Sequence, residues 1–240
     1  MVQYDRPSPA VRTSQGRKRF RAGGSRSYRR GMRSALDVYG RAVAEGGRLR
    51  WLDRSGRSAP LPLYRWTAEE TPGDRGLLDR CAGPVLDVGC GPGRLAAGLL
   101  ARGVAALGVD ISPAAVARAR ARGAAVLVRS VYDRLPGERR WRTAVLADGN
   151  VGIGGDPLRL LCRLRELLAP YGTVLVEVGA PGTSSGPEVL RLVDDLGVSE
   201  EFPWAHLAIG DVAPLAATAG LTAAETWTEA GRWFTALVHR

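Results

Sequence analysis

The run Asp87-Val88-Gly89-Cys90-Gly91-Pro92-Gly93-Arg94-Leu95 concentrates residue types that bring a backbone against a ligand. Glycines allow close approach and a turn free of Cβ clashes. Two ligand classes compete for such a loop. A dinucleotide fingerprint needs Gly-x-Gly-x-x-Gly, with the pyrophosphate on a helix N-terminus. Gly89 and Gly91 satisfy its first two positions, but Arg94 occupies the third. The glycines instead recur at every second position behind an acid: Asp87, Gly89, Gly91, Gly93. An acid two residues before the first glycine suits a ligand with an ammonium group and repels a pyrophosphate.

A second glycine-rich run is Asp148-Gly149-Asn150-Val151-Gly152-Ile153-Gly154-Gly155-Asp156-Pro157. It admits a ligand against its backbone, or it is a flexible loop ending in an ordinary Asp-Pro helix start; its place in the fold favours the first. Glu177, near the end of a later strand, either faces a pocket or is a paired structural carboxylate. His206 is a candidate base with Trp204 as a pocket wall, set against a surface histidine and a core tryptophan. Tyr64 and Trp66 precede the first core helix, in a segment that can close over a ligand or simply pack. Cys90 is read as a small filler rather than a nucleophile.

These residues need a scaffold. Helices are expected over 33–44, 71–80 (Thr71 as N-cap), 93–102, 112–123 (Ser112 as N-cap), from Asp156-Pro157 onward, and from Asp211 to Gly220. Strands are expected over 84–88, 105–110, 125–128, 143–147 and 173–178, with a terminal hairpin of 222–227 and 233–238. A further hairpin spans 48–63, its second arm an edge strand at best because of Pro60 and Pro62. The stretch between 178 and 211 reads as a connection that covers the substrate. The exposed side of 112–123, with Arg118, Arg120 and Arg122, reads as solvated. Alternating helices and apolar strands imply a parallel sheet covered on both faces, and the final hairpin adds one antiparallel strand.

The chain has 240 residues, 45% of them hydrophobic and 24% charged, a globular balance. The net charge is +10, but the first 33 residues hold ten basic side chains against Asp5 alone, which leaves +1 for the remaining 207. The charge of the body therefore does not argue for nucleic acid. Residues 1–31 are too poor in large apolar side chains to order themselves. They are a basic arm for nucleic acid, an upstream extension of a protein that starts at Met32, or a plain disordered tail. No run approaches a membrane span. Three cysteines, Cys81, Cys90 and Cys162, fit neither a disulfide framework nor a zinc site, so reduced thiols in the cytoplasm are expected.

The Asp87–Gly93 run resembles motif I of the class I S-adenosylmethionine-dependent methyltransferases. Seventeen residues after Gly93, Val109-Asp110 ends the next strand, where that family carries its ribose-binding acid. The order of elements from 71 to 240 is similar too. The resemblance implies a Rossmann-like three-layer α/β/α sandwich with a mostly parallel seven-stranded sheet and one antiparallel strand near the C-terminus. It also implies S-adenosyl-L-methionine as cofactor. Its cofactor-binding set here is Asp87, Gly89, Cys90, Gly91, Gly93, Asp110, Ile111, Ser130, Val131 and Asp148. Asp87 takes the methionyl ammonium, Asp110 the ribose and Ile111 the adenine face. Ser130 stands where the family often has an acid that reads the adenine amino group, with Asp133 as fallback. The second glycine-rich loop falls where the family places its acceptor side, with Asp148, Asn150 and His206 as catalytic candidates. With the leucine-rich helix after it, that loop resembles bacterial small methyltransferases of unassigned substrate.

The implied organisation is a tail (1–31), a helix and hairpin segment covering the site (32–70) and the cofactor-binding domain (71–240). The acceptor is expected to be a small molecule rather than nucleic acid. A nucleotide-binding oxidoreductase and a catalytically silent binding module are the alternatives.

Overall fold

The computed structural model describes residues 33–240. The expectations for the basic tail 1–31 lie outside the described residues. Helix α1 (Ala35–Glu45) leads into a hairpin of β1 (Arg50–Asp53) and β2 (Ser58–Pro60), followed by short helices α2 (Leu63–Thr67) and α3 (Asp74–Asp79). Alternation then begins with β3 (Val85–Val88), α4 (Arg94–Ala101), β4 (Ala106–Asp110), α5 (Pro113–Ala121), β5 (Val126–Val128) and β6 (Trp141–Leu146). A 3-10 segment (Asn150–Gly155) precedes α6 (Pro157–Leu167) and β7 (Leu168–Val178). Three strands follow, β8 (Gly186–Asp194), β9 (Gly197–Val198) and β10 (Phe202–His206). The chain ends with α7 (Ile209–Thr218), β11 (Leu221–Glu229) and β12 (Arg232–His239).

The main sheet has seven strands in the order β11-β12-β7-β6-β3-β4-β5. Strands β7, β6, β3, β4 and β5 run parallel, and β12 pairs antiparallel with both β7 and β11. Succession runs one way from β3 through β4 to β5 and the other way from β6 to β7. That puts a topological switch point at the carboxyl ends of β3 and β6, where open α/β sheets bind ligands. Alternate residues of β3 feed opposite faces. Leu86 and Val88 pack with Leu146, Leu160, Leu164 and Val176, whereas Val85 packs with Leu77, Leu95, Leu99 and Phe234. Asp87 shares the Val85 face and so points beneath α4.

Ser112 and Asp156 cap α5 and α6 as expected, each with proline at the first helical position. Two caps differ. Thr71 does not cap α3: its amide and hydroxyl both donate to Asp74 Oδ2 at 2.7 Å, and the helix starts after left-handed Gly73. Asp211 lies inside the first turn of α7 rather than ahead of it.

The connection expected between 178 and 211 is instead sheet. Strands β10, β8, β1 and β2 form a second, antiparallel sheet in that order, with β9 on β8. Strand β8 alternates, burying Leu190 and Leu192 and exposing Arg191. Leu192 joins Val38, Val43, Leu49, Leu63 and Ala115 in a separate apolar cluster that seats α1 and α2 on α5. Arg118 and Arg120 are exposed, as expected of a solvated face, and Arg122 is half-buried, but two of these arginines also make specific contacts. Arg118 donates to Val43 O at 2.8 Å, near the end of α1, and Arg122 to Ala68 O at 2.7 Å, at the end of α2. These guanidinium groups satisfy carbonyls that a helix end leaves without partners.

Candidate functional site

The loop after β3 is a series of left-handed glycines, with φ of 69° at Gly89, 51° at Gly91 and 83° at Gly93. A Cβ at Gly93 would stand 2.9 Å from Ala119 Cα, so this glycine lets the loop sit down on α5. A Cβ at Gly91 would stand 3.2 Å from the Tyr39 hydroxyl of α1. The Asp110 carboxylate, at the end of β4, accepts from the Gly91 amide at 2.9 Å and the Ser112 amide at 2.7 Å. Burial raises its pKa despite those amides. Ile111 beside it is exposed. Asp87 is 2% exposed, and its Oδ2 is buried without a hydrogen-bond partner. Burial pushes its pKa up to about 7; Arg94 opposes this, while the charges of Asp148 and Asp110 add to it.

Asp148, directly after β6 and Ala147, also has left-handed backbone, with φ of 55°. Its carboxylate lies in a cluster of three arginines and three acids. Arg94, the residue after Gly93, pairs with both Asp148 and Asp74. Arg232, at the start of β12, donates to Asp74 Oδ1 at 2.7 Å and to Glu177 through Nε at 2.9 Å and Nη2 at 2.6 Å. Arg65 of α2 donates to Asp148 Oδ1 at 2.7 Å and reaches Glu177 Oε1 at 3.5 Å. The Asp148 amide itself donates to Glu177. Burial works to raise the pKa of Asp74 and Glu177. The arginine contacts prevail, holding Asp74 at about 2 and Glu177 below its ordinary value. Glu177 is thus a paired carboxylate.

Asn150 holds two loops together: its Nδ2 donates to Val88 O and Gly89 O, each at 2.9 Å. Trp204 and Pro203 of β10 lie over the 3-10 segment, close enough that a Cβ at Gly152 would meet Trp204 Nε1 at 2.6 Å. His206 is not brought to Asp148 or Asn150; it is exposed on the second sheet, with Nε2 2.9 Å from Glu188. Ser130 Oγ accepts from the Tyr132 amide at 3.2 Å, and Asp133 Oδ2 accepts from the Ser130 amide at 3.1 Å, so both side chains shape the turn after β5. The Val131 side chain is in the core. Cys90 packs against Gly108. Tyr64 is exposed, whereas Trp66 meets Tyr39 edge-on at 6.2 Å between ring centroids.

Sequence reasoning missed Tyr39, Arg65, Asp74, Arg94 and Arg232. Arg94 carried a signal, since its place after the last glycine forces it into the switch-point crevice. The others come from segments whose proximity only the fold creates.

Residues 85–172 match a family model described as a methyltransferase domain. No curated protein matches the sequence. Among solved structures, the chain is similar to a SAM-dependent methyltransferase from Bacteroides fragilis in complex with S-adenosyl-L-homocysteine. The TM-score is 0.73 at 22% identity, covering 88% of this chain and 98% of that one. It is also similar to the CcbJ methyltransferase from Streptomyces caelestis (TM-score 0.54, 18% identity, 69% and 88% covered). A third is CalS10, an amino pentose methyltransferase from Micromonospora echinaspora (TM-score 0.53, 20% identity, 74% and 94% covered). Residues 85–172 are thus similar to a methyltransferase domain, and the chain has the class I fold seen in solved S-adenosylmethionine-dependent methyltransferases.

Proposed function

We propose that the protein transfers a methyl group from S-adenosylmethionine to a small-molecule acceptor. One observation carries this reading: Asp87 is a fully buried carboxylate with an unpartnered oxygen beneath a turn of left-handed glycines at the switch point. Such an oxygen calls for a cationic or hydrogen-bonding partner, which the methionyl ammonium supplies, directly or through water. Gly89 and Gly91 give the turn its left-handed shape, so that its backbone lies against the ligand's methionine and ribose. Asp110 stands at the end of the neighbouring strand for the ribose hydroxyls, with exposed Ile111 for the adenine face. The backbone around Ser130 and Val131 completes the adenine side.

When bound, the cofactor supplies a methyl group made electrophilic by the adjacent sulfonium. The chain's own work is to align the two reactants and exclude water, which can contribute roughly 7–11 kcal/mol. Asn150 fixes the acceptor-side loop to the glycine turn, so the two half-sites keep one spacing. Asp148 orients rather than accepts protons, since arginines occupy both its oxygens. α1, α2 and the second sheet cover the site. The near-neutral body supports a small acceptor over nucleic acid, and CalS10 is an example of this fold acting on an amino sugar. Free thiols at Cys81, Cys90 and Cys162 accord with a reducing compartment such as the cytoplasm.

Calorimetric titration of S-adenosylhomocysteine tests the proposal. Wild type is expected to bind in the micromolar range and Asp110→Ala to bind far more weakly. A folded wild type that takes up no S-adenosylhomocysteine would overturn it, and a melting shift with NAD(H) in that case would favour the oxidoreductase.

A further inference from the structure

We propose that the acceptor is a flat, neutral nitrogen heterocycle, methylated on a ring nitrogen to give a cation; this deepens the methyl-transfer reading above and rests on it. An acceptor that must shed a proton needs a base within hydrogen-bond reach. Among the described residues, the polar side chains bordering the crevice are already committed. Asp148 pairs with Arg65 and Arg94. Glu177 accepts from Arg232 and from the Asp148 amide. Asp110 accepts two backbone amides. The Tyr39 hydroxyl stands 3.2 Å from the Cβ position of Gly91. Burial, reinforced by the charge of Asp110, raises its pKa, so it keeps its proton. His206 lies apart, on Glu188. Such a site suits a nucleophile whose lone pair is free at neutral pH. A pyridine-type ring nitrogen has one; an alcohol or an aliphatic ammonium must first lose a proton.

Local charge and lining narrow the choice further. An ionised carboxylate also offers a free lone pair. Around the crevice, however, the acids Asp74, Asp87, Asp110, Asp148 and Glu177 outnumber the arginines Arg65, Arg94 and Arg232. That excess repels an anion and favours a cation. The transfer keeps the total charge constant. The lone pair of the ring nitrogen forms the new N–C bond, the C–S bond of the sulfonium donor breaks with its electrons left on sulfur, and the positive charge passes to the ring. No proton moves. Aromatic rings come from the cap and from the second sheet. Trp66 meets Tyr39 edge-on at 6.2 Å, and Trp204 stands against Gly152, in the segment that Asn150 ties to the glycine turn. Such rings stack on a flat acceptor and stabilise the cation it becomes.

The test uses three probes built on one two-ring frame: isoquinoline, 2-naphthol and 2-naphthoate. Each is titrated by calorimetry, slightly above neutral pH, into protein saturated with S-adenosylhomocysteine. Isoquinoline, unprotonated there, is expected to bind about tenfold more tightly than 2-naphthoate. With S-adenosylmethionine in its place, mass spectrometry should find N-methylisoquinolinium and neither the methyl ether nor the methyl ester. Trp204→Leu should weaken isoquinoline about tenfold and leave S-adenosylhomocysteine affinity unchanged, and Trp204→Phe should keep most of the binding. Tighter binding of 2-naphthoate, methylation of the naphthol or the naphthoate, or isoquinoline binding that Trp204→Leu does not weaken overturns the proposal. So does a complex that has taken up S-adenosylhomocysteine but refuses isoquinoline, an outcome that leaves the methyl-transfer reading standing. The ranking of probes on wild type decides alone if Trp204→Leu does not fold. If S-adenosylhomocysteine itself fails to bind, the methyl-transfer reading falls, and the inference with it.

Discussion

Arg94 and Asp148 are joined across the carboxyl ends of β3 and β6, so the helix after the glycine turn and the loop on the acceptor side are anchored to one another. Asp148 reaches the cap through Arg65, and Arg94 reaches α3 through Asp74. Six charged side chains thereby hold the switch point in one arrangement. Burial of such a network is a weak source of net stability, but breaking it from one side is costly.

Asp74→Ala leaves Arg94 and Arg232 buried and short of a partner. A loss of about 3–5 kcal/mol in unfolding free energy is expected, measured by urea denaturation at neutral pH. Asp74 is held at about 2, below its unfolded value. Its contribution is therefore complete above the unfolded pKa and fades as pH falls toward 2. The difference between wild type and variant should shrink over that acid window.

Asp87 titrates in the opposite sense. Its folded pKa of about 7 lies above the ordinary 3.8. Holding it ionised costs stability, a cost that grows as pH rises from about 4 to 7 and then levels off. Asp87→Asn removes that cost, so the variant should melt higher than wild type at pH 8, by at most about 4 kcal/mol in free energy, and show little difference near pH 4. It should also bind S-adenosylhomocysteine weakly. Wild-type affinity should rise between about pH 5.5 and 7.5, because the ammonium binds the ionised form, whereas the variant's affinity should be flat there. Calorimetry across that range reads both.

Gly91→Ala places a Cβ on left-handed backbone and 3.2 Å from the Tyr39 hydroxyl. Gly103→Ala meets the same backbone cost, with φ of 69°, but has open space around it. Both should lose about 1–2 kcal/mol of stability. Only Gly91→Ala should also lose affinity for S-adenosylhomocysteine.

Arg122→Ala removes the donor to the end of α2. Faster amide hydrogen exchange is expected in α2, which carries Arg65 and Trp66, with β3 to β7 unchanged. Uniform acceleration over the whole chain would contradict this local role.

Legibility from sequence followed the local character of each signal. Motif I, the Asp110 position and the α5 and α6 caps are local patterns, and each lies where residue spacing put it. Strand β8 had a signal as well: Leu190, Arg191 and Leu192 alternate in burial, but the whole stretch between 178 and 211 read as connection. The charge cluster was illegible for another reason. Arg65, Asp74, Asp148, Glu177 and Arg232 span nearly 170 residues, and no spacing rule relates them until the sheet order does. His206, weighed as a base against a surface histidine, is set by the fold on an exposed strand face opposite Glu188.

The second sheet has a bearing on how the chain is made. Arg50 of β1 pairs with Val193 of β8, so about 140 residues must be synthesised before that strand finds its neighbour. Closing so long a loop is slow, and the waiting edge is open to wrong partners. The central parallel strands meet across far shorter separations and can assemble first. The second sheet therefore closes later than the central parallel strands are expected to. Shortening the chain at its N-terminus past β1 would leave β8 a bare, half-apolar edge, open to pairing with another copy.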